Sequence, residues 1–258
     1  MRVLLTNDDG INAPGLALLE DLARELADDV WVVAPETDQS GLAHSLTLNH
    51  PLRARKVRDQ VYAVSGTPTD CVIMAVRQLV EGKLDLVLSG VNAGQNIGDY
   101  ITYSGTVAGA MEGVLLGIPA IALSQAFLPE NIRAIPWDTT RAHAPAVLKS
   151  LIGAELPKDT LINVNFPGCD AESVTGSVVA RQGKFEHGLG IGERRDGRGL
   201  PYYWLEFQGQ PPQSQPGSDI DALRQNHIAI TPVRMDMTDH ASLDALRQHI
   251  DPNTLKEG

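Results

Sequence analysis

Short apolar runs alternate with amphipathic stretches through the first half of the chain. Residues 2–5 (RVLL) predict a brief buried strand. Residues 15–27 (GLALLEDLARELA) place leucine and alanine three and four positions apart and predict an amphipathic helix. Residues 29–34 (DVWVVA), rich in β-branched and aromatic side chains, predict a second strand. A helix is expected over 66–77, opened by Thr67, then Pro68 in the first turn and Asp70 three positions after the threonine. Residues 84–89 (LDLVLS) and 118–123 read as further strands, and 106–116 as the helix between them. This repeated strand–helix–strand order marks an α/β fold with a doubly wound, mostly parallel sheet. Ligands of such sheets gather beyond the carboxyl ends of the strands. Segments 6–10, 35–41, 90–98 and residue Ser124 should therefore meet in space.

The last third differs in texture. Residues 183–199 (GKFEHGLGIGERRDGRG) are rich in glycine and charge and read as an exposed hairpin or arm. Residues 202–207 predict a strand, 209–217 (GQPPQSQPG) a loop, 228–233 a final strand and 241–250 a short helix. With no internal repeat and no clean linker, one domain over 1–258 is expected, with 183–217 projecting as an arm and 234–258 as a C-terminal tail.

Composition narrows the partners. At 258 residues, with 43% hydrophobic and 21% charged positions, the chain is ordinary for a soluble protein. The net charge of -11 repels nucleic-acid backbones and anionic membranes, so neither is an expected partner. The same charge repels a small phosphorylated substrate, so any phosphate chemistry needs a local source of positive field. Cys71 and Cys169 form no CxxC pair and no disulfide framework, which points to a reducing cytoplasm. The N-terminal apolar run stops at Leu5 before two carboxylates, too short for a signal-peptide core. The longest apolar stretch, 113–123, contains Pro119 and falls short of a membrane span. A soluble, cytoplasmic protein is the expectation.

The sharpest chemical feature is Asn7-Asp8-Asp9-Gly10, directly after the first strand. Two carboxylates about 5 Å apart repel by roughly 3 kcal/mol at an effective dielectric of about 20. Either a hard divalent cation offsets that cost, or the turn is simply solvated. Ser40, in the loop after the second strand, has a hydroxyl able to complete an oxygen shell, or is an ordinary turn serine. The loop SGVNAGQNIG (89–98) offers backbone N–H groups and the carboxamides of Asn92 and Asn96. It lacks the Gly-Lys-Ser/Thr ending of a Walker loop. Ser104-Gly105-Thr106 opens a helix, where capping and anion binding use the same groups. No HExxH and no GxSxG is present, and Gly10 stands where a DxD phospho-aspartate enzyme would carry its second acid.

Taken together, NDDGINAPG (7–15), the Ser40-Gly41 loop, SGVNAGQNIG (89–98) and YSGTVAGAMEG (103–113) resemble the SurE (survival protein E) nucleotidase family. GTPTDCV (66–72), NVNFP (163–167) and GSDIDALRQNHIAITPV (217–233) extend the likeness nearly end to end. The resemblance implies a Rossmann-like α/β core with C-terminal β-hairpin or arm extensions. It implies a divalent-metal-dependent phosphatase acting on nucleoside 5′-monophosphates and often 3′-monophosphates, with polyphosphate shortened by some members. Carried over by position, the metal ligands fall on Asp8, Asp9, Ser40 and Asn92, for one cation per subunit, Mg²⁺ or Mn²⁺. Asn96, Ser104, Gly105 and Thr106 match the family's phosphate-contacting positions, and on this resemblance Asp8, Asp9 and Asn96 would carry the catalysis. Gly109 stands where the family more often has alanine. Assembly as a homodimer or homotetramer through exchanged C-terminal segments is also implied. The competing class is a non-catalytic, nucleotide-binding α/β regulatory protein whose DDG turn holds a structural ion.

Overall fold

The computed structural model describes residues 1–131, 134–155, 157–185, 188–207 and 215–250. Most of the expected loop 209–217, and the end of the expected tail beyond residue 250, lie outside the described residues. β1 (Arg2–Thr6), α1 (Pro14–Leu26) and β2 (Asp29–Pro35) follow the expected order. In α1, Pro14 pre-sets the first turn, and Leu16, Leu19, Leu22 and Ala23 form the buried stripe. A hairpin that the apolar pattern does not announce follows, β3 (Ala54–Arg58) with β4 (Val61–Val64). Every residue of β3 is exposed, so its sequence ARKVR carries no alternation to read.

α2 (Pro68–Met74) opens with the expected reciprocal cap. The Asp70 N–H donates to Thr67 Oγ1 (3.2 Å), and the Thr67 N–H donates to Asp70 Oδ2 (2.8 Å). The helix continues as a π-helical turn over Ala75–Leu79. β5 (Leu86–Ala93) runs four residues beyond the expected 84–89. Its pairing with β6 (Ala120–Gln125) is interrupted after Ser89 and resumes as Asn92 with Ser124 and Ala93 with Gln125. Asn92 and Ser124 are therefore strand residues rather than loop residues. α3 (Gly105–Leu115) lies between β5 and β6, preceded by a 3₁₀ turn over Gly98–Tyr103.

Helix α4 (Trp137–Ile152) and strand β7 (Thr160–Phe166) were not legible as elements. α4 buries only a few side chains and contains Pro145, and β7 interrupts its apolar run with Asn163 and Asn165. β8 (Gly176–Val179), β9 (Leu189–Arg195), β10 (Pro201–Phe207), α5 (Asp219–Arg224), β11 (His227–Arg234) and α6 (His240–His249) complete the described chain. The expected strand 202–207 is one leg of the arm: β9 and β10 form a separate antiparallel ribbon.

The main sheet has the order β3-β4-β2-β1-β5-β6-β7-β11-β8. From β4 through β7 neighbouring strands are parallel, and antiparallel pairing appears at β3/β4 and β7/β11. Helices α1 and α4 cover one face, packing on Leu5, Val32, Leu88, Leu123 and Val164. Helices α2 and α3 cover the other, on Leu4, Val33, Val87, Ala122 and Leu161. This is the doubly wound α/β arrangement. Successive strands run outward from β1 through β2 to β4, and then in the other direction through β5, β6 and β7. The order reverses beside β1, and the crevice at such a reversal is where these sheets bind ligands. Among the described residues no helix is long and apolar enough to cross a membrane.

Candidate active site

At the carboxyl end of β1 the chain turns at once through residues 7–10. The turn is braced from within by Asn7, whose buried Nδ2 donates to the Gly10 carbonyl (3.0 Å). Gly10 has φ +99°, a conformation in which any side chain is strained, and a Cβ there would press on the Thr37 carbonyl carbon at 3.1 Å. The neighbouring strand ends are laced to this turn. The Ile11 N–H donates to the Pro35 carbonyl (2.8 Å) and the Gln39 N–H to the Asp8 carbonyl (2.8 Å). On the other side the Ala93 N–H donates to Asp9 Oδ2 (3.2 Å). The Gly94 N–H donates to the Gln125 carbonyl (2.9 Å), tying in β6.

The side chains follow from this lacing. Asp8 is buried and its Oδ1 accepts the Thr106 hydroxyl. Gly105 makes that approach feasible, since a Cβ there would stand 2.8 Å from Asp8 Cβ and 3.0 Å from Asp8 Oδ2. Ser104 caps α3, its Oγ accepting from the Val107 N–H (3.1 Å). Ser40 Oγ donates to Asp38 Oδ1 (2.6 Å), which fixes the hydroxyl and leaves its lone pairs for another partner. Asn92 Nδ2 donates to the Gly94 carbonyl (2.8 Å), so the amide nitrogen is committed and the carboxamide oxygen has no partner among the described residues.

Asp8, Asp9, Ser40 and Asn92 line one cleft of about 400 Å³, with Asn96 and Ser104 beside them. Tyr100, Tyr103, Phe127 and Phe207 form an aromatic wall of the same cleft. Among the described residues no lysine, arginine or histidine lines it. Burial pushes the Asp8 carboxyl up, and the Thr106 hydroxyl offsets part of that. Asp9 is pushed up to about 6, by burial first and then by the charge of Asp8, with Asp38 adding to it. The protein thus assembles carboxylates that repel one another and places no cationic side chain against them. The donors are all oxygens: two carboxylates, a hydroxyl and a carboxamide. Such a set fits a hard divalent cation. Among the described residues no three His, Cys, Asp or Glu side chains cluster so as to hold a metal ion by themselves, so the serine hydroxyl and the asparagine carboxamide are needed to complete the set. A larger cavity of about 560 Å³ opens at the opposite end of the sheet, where β5, β6 and β7 begin. Its lining is mainly apolar, with Lys83, Asp85 and Lys158 at its edge, and lacks such a convergent set of oxygens.

Residues 3–188 match the family described as survival protein SurE. The chain belongs to the SurE family. The 5′-nucleotidase SurE of Chelativorans sp. (strain BNC1) is 58% identical over 247 residues, covering 95% of this chain and 98% of the relative. The 5′-nucleotidase SurE of Rhizobium meliloti (strain 1021) is 57% identical over 258 residues, covering 100% and 99%. The crystal structure of the SurE protein from Aquifex aeolicus is similar at a TM-score of 0.83 and 37% identity, over 97% of this chain and all of that one.

Within this SurE chain the expected site residues separate into two layers. Asp8, Asp9, Ser40, Asn92, Asn96 and Ser104 reach the cleft. Gly105 and Thr106 are buried behind Asp8, where they shape and hydrogen-bond its carboxylate. Several participants went unread in the sequence. Asp38 orients Ser40, and the aromatic wall draws on positions as distant as Tyr100 and Phe207. Buried Asp219 accepts N–H bonds from Gly98 (2.9 Å) and Gly183 (2.8 Å), fastening the root of the arm to the loop before α3. Asp219 opens the segment DIDALR with a second acid, Asp221, two positions on, and such first-turn acids are ordinary at a helix start, so the sequence gives no local sign of this role.

Proposed function

We infer that this SurE protein is a divalent-cation-dependent nucleotidase that hydrolyses nucleoside 5′-monophosphates to nucleoside and phosphate, with 3′-monophosphates and polyphosphate as further substrates. The observation that carries the reading is the union, in one cleft at the sheet's reversal point, of an all-oxygen acidic donor set and an aromatic wall. A phosphate seeks positive charge and a base seeks a stacking surface, and the cleft has room for both. The 5′-nucleotidase activity for which the relatives in Chelativorans and Rhizobium meliloti are named weighs against the non-catalytic regulatory reading.

Asp8, Asp9, Ser40 and Asn92 would hold one cation, Mg²⁺ or Mn²⁺, which when bound supplies positive charge to the phosphate and makes a water more acidic. The chain's own groups do the rest. The helix start at Ser104–Thr106 directs its N–H dipoles toward negative charge. Asn96 reaches the cleft with its amide already donating one hydrogen to Ser124 Oγ (2.9 Å), and the second hydrogen serves a phosphate oxygen. Asp8 and Asp9, both on the cleft wall, are the carboxylates placed to orient an attacking water or accept its proton. Tyr103 and Phe207 offer faces to the base, and the exposed apolar side chains of the arm, among them Ile191, Trp204 and Leu205, suit a homodimer or homotetramer. Both cysteines are free thiols, in keeping with a cytoplasmic setting.

The test is phosphate release from AMP, GMP, 3′-AMP and a non-nucleotide phosphomonoester, each with Mn²⁺ and with EDTA. Turnover of the nucleotides that EDTA abolishes is expected. Equal turnover of the non-nucleotide ester would remove the base from the account, and no turnover of any would return the chain to the regulatory class.

A further inference from the structure

Asn96 stands in the cleft, yet the loop that carries it is glycine-rich and forms no helix or strand between Ala93 and Gly98. What fixes it comes from β6 and β7. The Asn96 N–H donates to Asn165 Oδ1 (2.8 Å), and Asn165 Nδ2 donates back to the Asn96 carbonyl (2.9 Å). Asn163 Nδ2 donates to that same carbonyl (2.8 Å). Ser124 Oγ receives the side-chain amide. Both β7 asparagines and Ser124 are fully buried. Alternate positions of a strand share a face. On β7, Leu161 meets the α2/α3 core while Ile162, Val164 and Phe166 meet the α1/α4 core, so Asn163 and Asn165 replace apolar side chains where the α2/α3 face reaches the strand's carboxyl end.

We propose that Asn163 and Asn165 are positioning residues for the hydrolysis, a two-amide clamp that sets the Asn96 backbone and through it the carboxamide offered to phosphate. The inference rests on the proposed phosphate role of Asn96. A purely structural reading fits Asn163 poorly. Its Oδ1 is buried with no partner among the described residues, and the Asn96 carbonyl that it serves already accepts from Asn165. An orphaned buried acceptor costs stability, so a leucine of similar size would serve the core at least as well. The amide is explained by what its nitrogen holds in place.

The experiment is a set of double-mutant cycles on the full-length protein with AMP and saturating Mn²⁺. Asn163→Leu and Asn165→Ala are each combined with Asn96→Ala, and melting temperatures are recorded alongside. Displacing a catalytic group by about 1 Å can cost up to 10²-fold. Each β7 variant alone should lower kcat about tenfold with KM changed less than about threefold, and Asn163→Leu should melt no lower than the wild type. In the Asn96→Ala background the same substitutions should lower kcat by less than about twofold, because the group they position is gone. If Asn96→Ala is slow but the β7 variants turn over at the wild-type rate, or if their losses multiply in the double variants, the clamp is overturned while the role of Asn96 stands. If Asn96→Ala itself retains full turnover, the phosphate role falls and the clamp's catalytic role falls with it. Should Asn165→Ala fail to fold, Asn163→Leu and Ser124→Ala carry the same cycle.

Discussion

Replacing Asp9 by asparagine tests the electrostatics of the site without touching its shape. Asp9 Oδ2 accepts the Ala93 N–H, and an asparagine oxygen can do the same. What the substitution removes is a charge that the folded protein dislikes, for the carboxyl rises from 3.8 to about 6 through burial and the neighbouring Asp8. At 1.36 kcal/mol per tenfold, that shift corresponds to at most about 3 kcal/mol. Asp9 is only half-buried, and solvent screening reduces the figure to about 1.5 kcal/mol. The folded state holds this proton more tightly than the unfolded chain does, so metal-free stability falls as pH rises from 3.8 through 6 and the full cost persists above. Asp9→Asn should therefore stabilise the metal-free protein at pH 8, by about 3–6 °C in melting temperature for a chain of this size. The gain should shrink by about half at pH 5. Adding Mn²⁺ should reverse the order, because ligand binding raises the melting point of the wild type and not of a variant that has lost the site. Melts in EDTA and in Mn²⁺ at both pH values give all four numbers. A variant that melts below the wild type in EDTA at pH 8, or whose gain is the same at pH 5, would refute the reasoning.

Three further outcomes follow from the same geometry. Thr106→Val removes the hydroxyl that holds the Asp8 carboxyl down, so Mn²⁺ affinity by calorimetry should fall about tenfold, a loss that narrows as pH rises. Gly105→Ala introduces a Cβ 2.8 Å from that of Asp8, and should cut AMP turnover more than about 100-fold while costing only about 1–3 kcal/mol of stability. Tyr103→Ala should raise KM for AMP about tenfold, the usual worth of a stacked base, and leave KM for a small phosphomonoester unchanged.

The parts of the molecule that were legible in its sequence are those where one physical signal dominates. Apolar runs announced β1, β2, β5 and β6, and Thr67-Pro68 with Asp70 announced α2 because a reciprocal cap leaves a fixed spacing. The convergence of Asp8, Asp9, Ser40 and Asn92 followed from the rule that parallel sheets bind ligands at their carboxyl ends. Other elements were hidden because two demands met in the same residues. β7 must be both core and support for Asn96, so Asn163 and Asn165 break the apolar pattern that would have revealed it. β3 is solvated throughout, and α4 carries Pro145 with a thin buried stripe, so neither has a period to detect. Thr106 opens a helix, where a hydroxyl can serve a bound anion or a neighbouring side chain, and here it donates to Asp8 inside the protein. No spacing rule distinguishes those two uses of one hydroxyl.

A single dication seated among Asp8, Asp9, Ser40 and Asn92 would let an acidic protein hold phosphate. Anomalous scattering from crystals soaked in Mn²⁺ addresses it directly. One peak per subunit is expected, within about 2.5 Å of oxygens from those four residues, and absent from Asp9→Ala crystals grown in the same way. A Mn²⁺ peak elsewhere with this cleft empty, or an unchanged peak in Asp9→Ala, would contradict the account.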